Sequence, residues 1–151
     1  MQTYSIRQAT EEDRNFAWTV CSQTMREYVE AIWGWDNEWQ ENRFNKLFQA
    51  DTWRVIVVND EDAGAFEIKQ SNAELLLSRL YIVPDFQRRG IGTSIVQSLI
   101  KKADAEHISL TLDVLKSNTD AKRLYERLGL RVTGDSPERY FMSTPSLNLE
   151  Y

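Results

Sequence analysis

The residues Val83-Pro84-Asp85-Phe86-Gln87-Arg88-Arg89-Gly90-Ile91-Gly92-Thr93 join a long apolar run to an amphipathic stripe. A strand that turns into a helix through two glycines leaves backbone N–H groups uncovered at the helix start. Those groups and the helix dipole bind anions, phosphates above all. Arg88 and Arg89 add positive charge, and Thr93 and Ser94 add hydroxyl donors. Neither the G-x-x-x-x-G-K-[ST] loop nor the G-x-G-x-x-G dinucleotide fingerprint is present, so two common phosphate motifs are excluded. On their own, Gly90 and Gly92 would also make an ordinary turn.

Other reactive side chains have plainer readings beside them. Tyr125 shares a helical face with Leu124 and Leu128 and reads by itself as a core aromatic. Asp113 stands on the polar face of an alternating strand. Cys21 sits among helical apolar residues and reads as a small buried hydrophobe. His107 opens a strand and reads as structural. The stretch Glu27-Tyr28-Val29-Glu30-Ala31-Ile32-Trp33-Gly34-Trp35-Asp36 mixes aromatic faces with carboxylates. That mixture favours a cation, through cation–π and Coulomb attraction. The same tryptophans could instead pack two helices onto a sheet, or make a homodimer contact.

The elements that must position these groups follow from periodicity. A short strand is expected over Thr3–Arg7. Thr10 and the acids after it suit a helix start, and Phe16, Val20, Met25 and Tyr28 recur at helical spacing. Trp33-Gly34-Trp35 breaks that helix, and Asp36 caps a second one carrying Trp39, Phe44, Leu47 and Phe48. Strands follow at 53–58 and 65–68, with the polar tract Asn59 to Asp62 turning the chain, and a long central one at 75–83. Ile91, Ile95, Val96, Leu99, Ile100 and Ala103 form one helical stripe. Ile108, Leu110, Leu112 and Val114 alternate as a strand. Ala121, Leu124, Tyr125 and Leu128 form another helix face, capped by Asn118 or Thr119 and closed by Gly129. A strand pair at 131–133 and 140–142 ends the pattern. Three strands before a helix imply a mixed sheet with an antiparallel meander.

Composition narrows the function. The 151 residues suit a single domain over 1–151. The net charge is −5, which argues against nucleic acid, since a DNA or RNA binder needs a basic face to neutralise the phosphate backbone. One cysteine and one histidine exclude a disulfide framework and a clustered metal site. No apolar run reaches the length of a membrane span and the N-terminus is no signal peptide, so a cytoplasmic protein is expected, with no membrane partner. Charge is uneven. Residues 1–75 hold 14 acids and 7 bases, whereas residues 79–131 hold ten bases and six acids.

These features resemble the GNAT superfamily of N-acetyltransferases. Gln87-Arg88-Arg89-Gly90-Ile91-Gly92 matches the motif Q/R-x-x-G-x-G/A. Asn118, Ala121, Tyr125 and Gly129 match N-x-x-A-x-x-x-Y-x-x-x-G, one helix and one strand later. The resemblance implies an α/β (α+β) fold with a mixed, mostly antiparallel sheet of six to seven strands and about four helices. It implies acetyl-CoA as cosubstrate and no metal. The strand with Leu80, Tyr81 and Ile82 would pair with the pantetheine arm, and Gln87, Arg88, Arg89, Gly90, Ile91, Gly92 and Thr93 would hold the pyrophosphate. Asn118 would bond the cofactor arm and Tyr125 would act as general acid at the sulfur. Asp113 stands five residues before the motif asparagine, where the ribosomal-protein N-terminal acetyltransferases carry a glutamate base. Being one methylene shorter, it would work through water. Glu27, Glu30, Trp33 and Trp35 would meet the acceptor. A basic peptide N-terminus, a lysine side chain, a polyamine or an aminoglycoside would each fit there. The alternative is a non-catalytic acyl-CoA-binding regulatory module, which would have no need of the tyrosine hydroxyl.

Overall fold

The computed structural model describes residues 2–145. In chain order the elements are β1 (Ser5–Gln8), α1 (Arg14–Trp33), α2 (Asn37–Leu47), β2 (Trp53–Val58), β3 (Glu61–Gln70), β4 (Glu74–Ile82), α3 (Ile91–Ala105), β5 (Ser109–Leu115), α4 (Thr119–Arg127), β6 (Arg131–Asp135) and β7 (Arg139–Ser143). The seven strands follow the order β1-β2-β3-β4-β5-β7-β6. β4 and β5 run parallel, whereas β1/β2, β2/β3, β5/β7 and β6/β7 are antiparallel. The fold class and the numbers of strands and helices agree with the expectation.

Local chemistry explains the boundaries. Asp36 caps α2 by accepting the Trp39 N–H at 3.1 Å. Asn118 caps α4 by accepting the Ala121 N–H at 3.3 Å. Gly129 follows α4 at φ 104°, the left-handed position that favours glycine. The β2–β3 turn is tighter than the polar tract suggested. Asn59 and Asp60 alone make it, at φ 49° and 65°, a two-residue hairpin whose twist suits antiparallel strands. Glu61 and Asp62 already belong to β3.

The chain forms two compact units, one through Glu67 with Arg79–Ile91, the other Ile68–Ser78 with Gly92 onward. In the first, Trp53, Val55, Ala65 and Tyr81 from the strands are buried with Ala17, Val20 and Cys21 of α1 and with Phe44 and Phe48. Rings run in a chain through this core, Trp35–Trp18–Phe44–Trp53–Tyr81, with centroids 5.6–6.3 Å apart. Such contacts stabilise beyond burial alone. The expected α2 face is only half right: Phe44 and Phe48 are buried, while Trp39 and Leu47 are exposed. In the second unit, Leu75, Leu77, Leu110, Leu112, Val114 and Met142 are buried, as are Ile95, Val96, Leu99 and Ala103 of α3. The alternation read in β5 and the stripe read in α3 are thus the buried faces. β3 departs from its reading. Residues Ala63 to Glu67 are buried in succession, because a central strand is covered on both faces.

Candidate active site

The junction after β4 is built to present backbone. A 3₁₀ turn, Pro84–Phe86, leads to Gln87. Arg88 and Gly90 both take left-handed conformations, at φ 63° and 83°. Gln87 Nε2 donates to the Ile82 carbonyl at 2.9 Å and ties the loop to the end of β4. Arg89 braces the loop rather than standing clear of it. It donates to the Asp85 carbonyl at 2.8 Å and to Gln2 Oε1 at 3.1 Å, and its guanidinium lies 5.0 Å from the Phe86 ring centroid. Arg88 is exposed. α3 starts at Ile91, so the first N–H groups of the helix, from Ile91 to Thr93, have no partner within it. A Cβ placed on Gly92 would meet nothing within 4 Å. The space beside that backbone is open.

β4 pairs with β5 only from Glu74 to Leu76. Beyond Leu76, among the described residues, β4 has no register partner on β5. Leu80, Tyr81 and Ile82 lie in that stretch. Gly64 of β3 is seated against it: a Cβ there would overlap the Tyr81 carbonyl oxygen and come within 3.2 Å of Ile82 Cα. Sequence reasoning passed over Gly64, because its constraint is a close approach of strands rather than a turn.

In the second unit, Asp113 is exposed on β5 opposite Phe141 of β7. Its Oδ1 accepts from Arg139 Nη1 at 3.0 Å. Tyr125 is half-buried on α4. Burial, then the negative charge of Asp113, pushes its hydroxyl up to about 12. The phenol is therefore a neutral hydrogen-bond donor over the whole working range. Asn118 spends its side-chain oxygen on the helix cap, which leaves its amide N–H₂ as the group with donors to offer. Among the described residues no group of three or more metal-ligating side chains occurs, and no helix is long and apolar enough to cross a membrane.

The acceptor candidates fall in the first unit. Trp33 is 53% exposed, and Glu27 and Glu30 are exposed on the same helix. Trp35 is more enclosed. It stacks on Trp18 at 6.1 Å and 14°, with the Arg26 guanidinium 5.8 Å from its centroid. Part of its aromatic surface is thus already in use within the chain. Cys21 is buried as read, and burial pushes its thiol up. His107 is exposed and left-handed, at φ 58°, where α3 gives way to β5.

A buried polar cluster was missed. Glu67 is a carboxylate inside the first unit, with Thr52 Oγ1 donating to its Oε2 at 2.7 Å. Arg79 Nε lies 3.8 Å from its Oε1. Arg79 Nη1 in turn reaches Tyr81 Oη at 3.4 Å. In the sequence Glu67 alternates with Phe66 and Ile68, as a residue on a polar strand face does. The one usable signal was Arg79 interrupting the apolar run.

Comparisons with known proteins bear on these features. The sequence matches the family model described as acetyltransferase (GNAT) domain over residues 10–145. It is similar to the ribosomal protein bS18-alanine N-acetyltransferase of Salmonella typhimurium, 39% identical over 72 residues, 46% of this chain and 49% of that protein. The chain thus spans about half the length of that relative. A peptidyl-lysine N-acetyltransferase of the same organism, YjaB, is 30% identical over 106 residues, 70% of this chain and 68% of that one. Among solved structures, the PaiA N-acetyltransferase of Thermoplasma acidophilum, in complex with coenzyme A, superposes with a TM-score of 0.76 at 18% identity, covering 95% of this chain and 99% of that chain. The Escherichia coli ribosomal-protein-S18-alanine N-acetyltransferase gives 0.68 at 20% identity, covering 99% and 100%. At these identities the likeness to solved structures is one of fold.

Proposed function

The chain belongs to the GNAT acetyltransferase family, and on that premise we propose that it moves the acetyl group of acetyl-CoA to a primary amine by direct attack in a ternary complex, acting as one acetyltransferase domain over residues 1–151. The observation that carries the reading is the β4–α3 junction. Left-handed Arg88 and Gly90, the open side of Gly92 and the first N–H groups of α3 suit a pyrophosphate. The structural neighbour in complex with coenzyme A supports the same cosubstrate. The relatives named for peptidyl-lysine and bS18-alanine acetylation support an amine acceptor.

Each residue has a task that its surroundings permit. The stretch of β4 through Leu80, Tyr81 and Ile82, which has no register partner on β5 among the described residues, offers backbone groups to the amide-bearing arm of CoA, and an N–H near Tyr81 or Ile82 offers a donor for the oxyanion. The attacking amine must be neutral. Deprotonating an amine of pKa about 10.4 at pH 7 costs about 4–5 kcal/mol. Asp113, with Oδ1 engaged by Arg139, takes that proton through water on Oδ2. As the C–N bond forms and the C–S bond breaks, Tyr125 faces a leaving thiolate of pKa about 8.5. Full proton transfer from a phenol at about 12 would be uphill by roughly 5 kcal/mol. Tyr125 therefore stabilises the sulfur through a hydrogen bond, and the thiolate takes its proton from solvent. Glu27, Glu30, Trp33 and Trp35 lie on the acceptor side of this scheme.

The test is to incubate the purified protein with acetyl-CoA and a panel of amines: peptides with free N-termini, lysine peptides, polyamines and amino acids. Mass spectrometry should find an amine heavier by one acetyl group. Tight binding of acetyl-CoA without any acetylated amine would point to the regulatory module instead.

A further inference from the structure

The polar cluster in the first unit has more donors than acceptors. Arg79 brings a five-donor fork, and Trp53 an indole N–H, beside the Tyr81 hydroxyl and the Cys21 thiol. The one carboxylate among them, Glu67, already accepts from Thr52 at 2.7 Å. Its other oxygen stands 3.8 Å from Arg79 Nε, an ion pair too long for a hydrogen bond. The contact from Arg79 to Tyr81 Oη, at 3.4 Å, is at the long limit. Trp53 Nε1 is fully buried and has no hydrogen-bond partner among the described residues. Trp53 is the register partner of Glu67, and its ring lies 6.3 Å from that of Tyr81, so the ring that carries this donor borders the cluster. Native proteins rarely leave such a donor unmet without a functional reason.

Access singles out one member. The Arg79 side chain keeps 29% of its surface open, against 6% for Glu67. Of the two charged partners Arg79 is thus the more accessible to an incoming group, and a planar pair of oxygens is what a guanidinium fork matches. Arg79 is also two residues from Tyr81 on the same strand. Such positions share a face and lie about 7 Å apart.

We propose that Arg79 is a specificity-determining residue that binds the carboxylate of the acceptor, so that the preferred substrate is a small amino acid whose amine and carboxylate are a few bonds apart. The assignment rests on the acetyl-transfer reading above and sharpens its acceptor. It replaces a purely cationic acceptor with one carrying both charges. Arg79 holds the carboxylate end, and the amine is left to reach the carbonyl held along β4.

Matched acceptor pairs test it: glycine with glycinamide, β-alanine with β-alaninamide, γ-aminobutyrate with its amide, each assayed with the full chain and acetyl-CoA. At least one acid should exceed its amide by tenfold or more in kcat/KM, with the difference in KM. The amide holds more neutral amine at a given pH, so this comparison is biased against the proposal. Arg79→Met should bring the acid down to the level of its amide, and Arg79→Lys should keep part of the preference. Equal kcat/KM for acid and amide in every pair, or a preference that survives Arg79→Met, overturns the proposal. Should Arg79→Met not give a cooperative melt, Arg79→Lys carries the comparison, and an undiminished preference there overturns it. If no amine is acetylated at all, the transfer reading fails, and calorimetric titration with β-alanine decides the site separately. Binding that weakens several-fold in Arg79→Lys supports it, and no binding to the wild type overturns it.

Discussion

Tyr125 is where surroundings change the chemistry a residue can do. A free phenol could act as an acid near pH 10, but burial and the neighbouring Asp113 raise this one to about 12. It holds its proton below that value and works as a fixed hydrogen-bond donor. Tyr125→Phe is therefore expected to lower kcat by about 100-fold and to leave the KM for acetyl-CoA nearly unchanged, as steady-state kinetics would read. The pH profile separates this role from general acid catalysis by an ordinary phenol. Because Tyr125 stays neutral below about 12, kcat should rise as the amine deprotonates and show no fall between pH 9 and 11. A fall in that window, absent from Tyr125→Phe, would make Tyr125 the titrating group. The sequence made Tyr125 visible through its spacing from Asn118 and Gly129. Its raised pKa was not visible there, because desolvation depends on what packs around it.

Among the elements, the β4–α3 junction and β3 carry glycines of two kinds. Gly92 faces open space, so Gly92→Ala should leave thermal stability within about 0.5 kcal/mol of wild type while weakening acetyl-CoA binding at least tenfold by calorimetry. Gly64 is pressed against the Tyr81 carbonyl. Gly64→Ala should destabilise by about 1–3 kcal/mol in urea unfolding, as overpacked interiors do. If both variants lost stability alike, Gly92 would be a packing residue. The caps at Asp36 and Asn118, the breaks at Gly34 and Gly129 and the α3 stripe were legible because each is written in neighbouring residues. β3 was not. Its buried Glu67 looks from local alternation like a solvent-facing residue, and only strands on both sides, with α1 and α2 over one face, make it interior. The left-handed backbone of Arg88 was hidden likewise, since such a conformation at a non-glycine residue is set by the loop around it.

At the scale of the whole chain, the acidic side chains of the first half also build structure. The acid-rich first half does not only face solvent. Asp13 is buried and accepts two hydrogen bonds from Arg7, at 2.9 and 2.8 Å, and one from the Thr10 N–H at 2.8 Å. Arg7 also pairs with Asp62 at 3.2 Å. The hydrogen bonds from Arg7 hold the Asp13 carboxyl below its ordinary range. The native state thus binds fewer protons than the unfolded chain. The stabilisation is complete above an unfolded pKa near ~3.9 and is lost as pH falls through the lower native value. Asp13→Asn should cost about 1–3 kcal/mol at pH 7 and flatten the loss of stability below about pH 4, measured by urea midpoints across pH. Equal slopes in wild type and variant would mean that other carboxylates govern acid unfolding. Catalysis is tested most directly by timing the release of free CoA thiol from acetyl-CoA with and without an acceptor amine. Direct attack requires thiol to appear only when the amine is present, mole for mole with the N-acetylated product. A stoichiometric burst of thiol without amine, or no release with any amine, would contradict it.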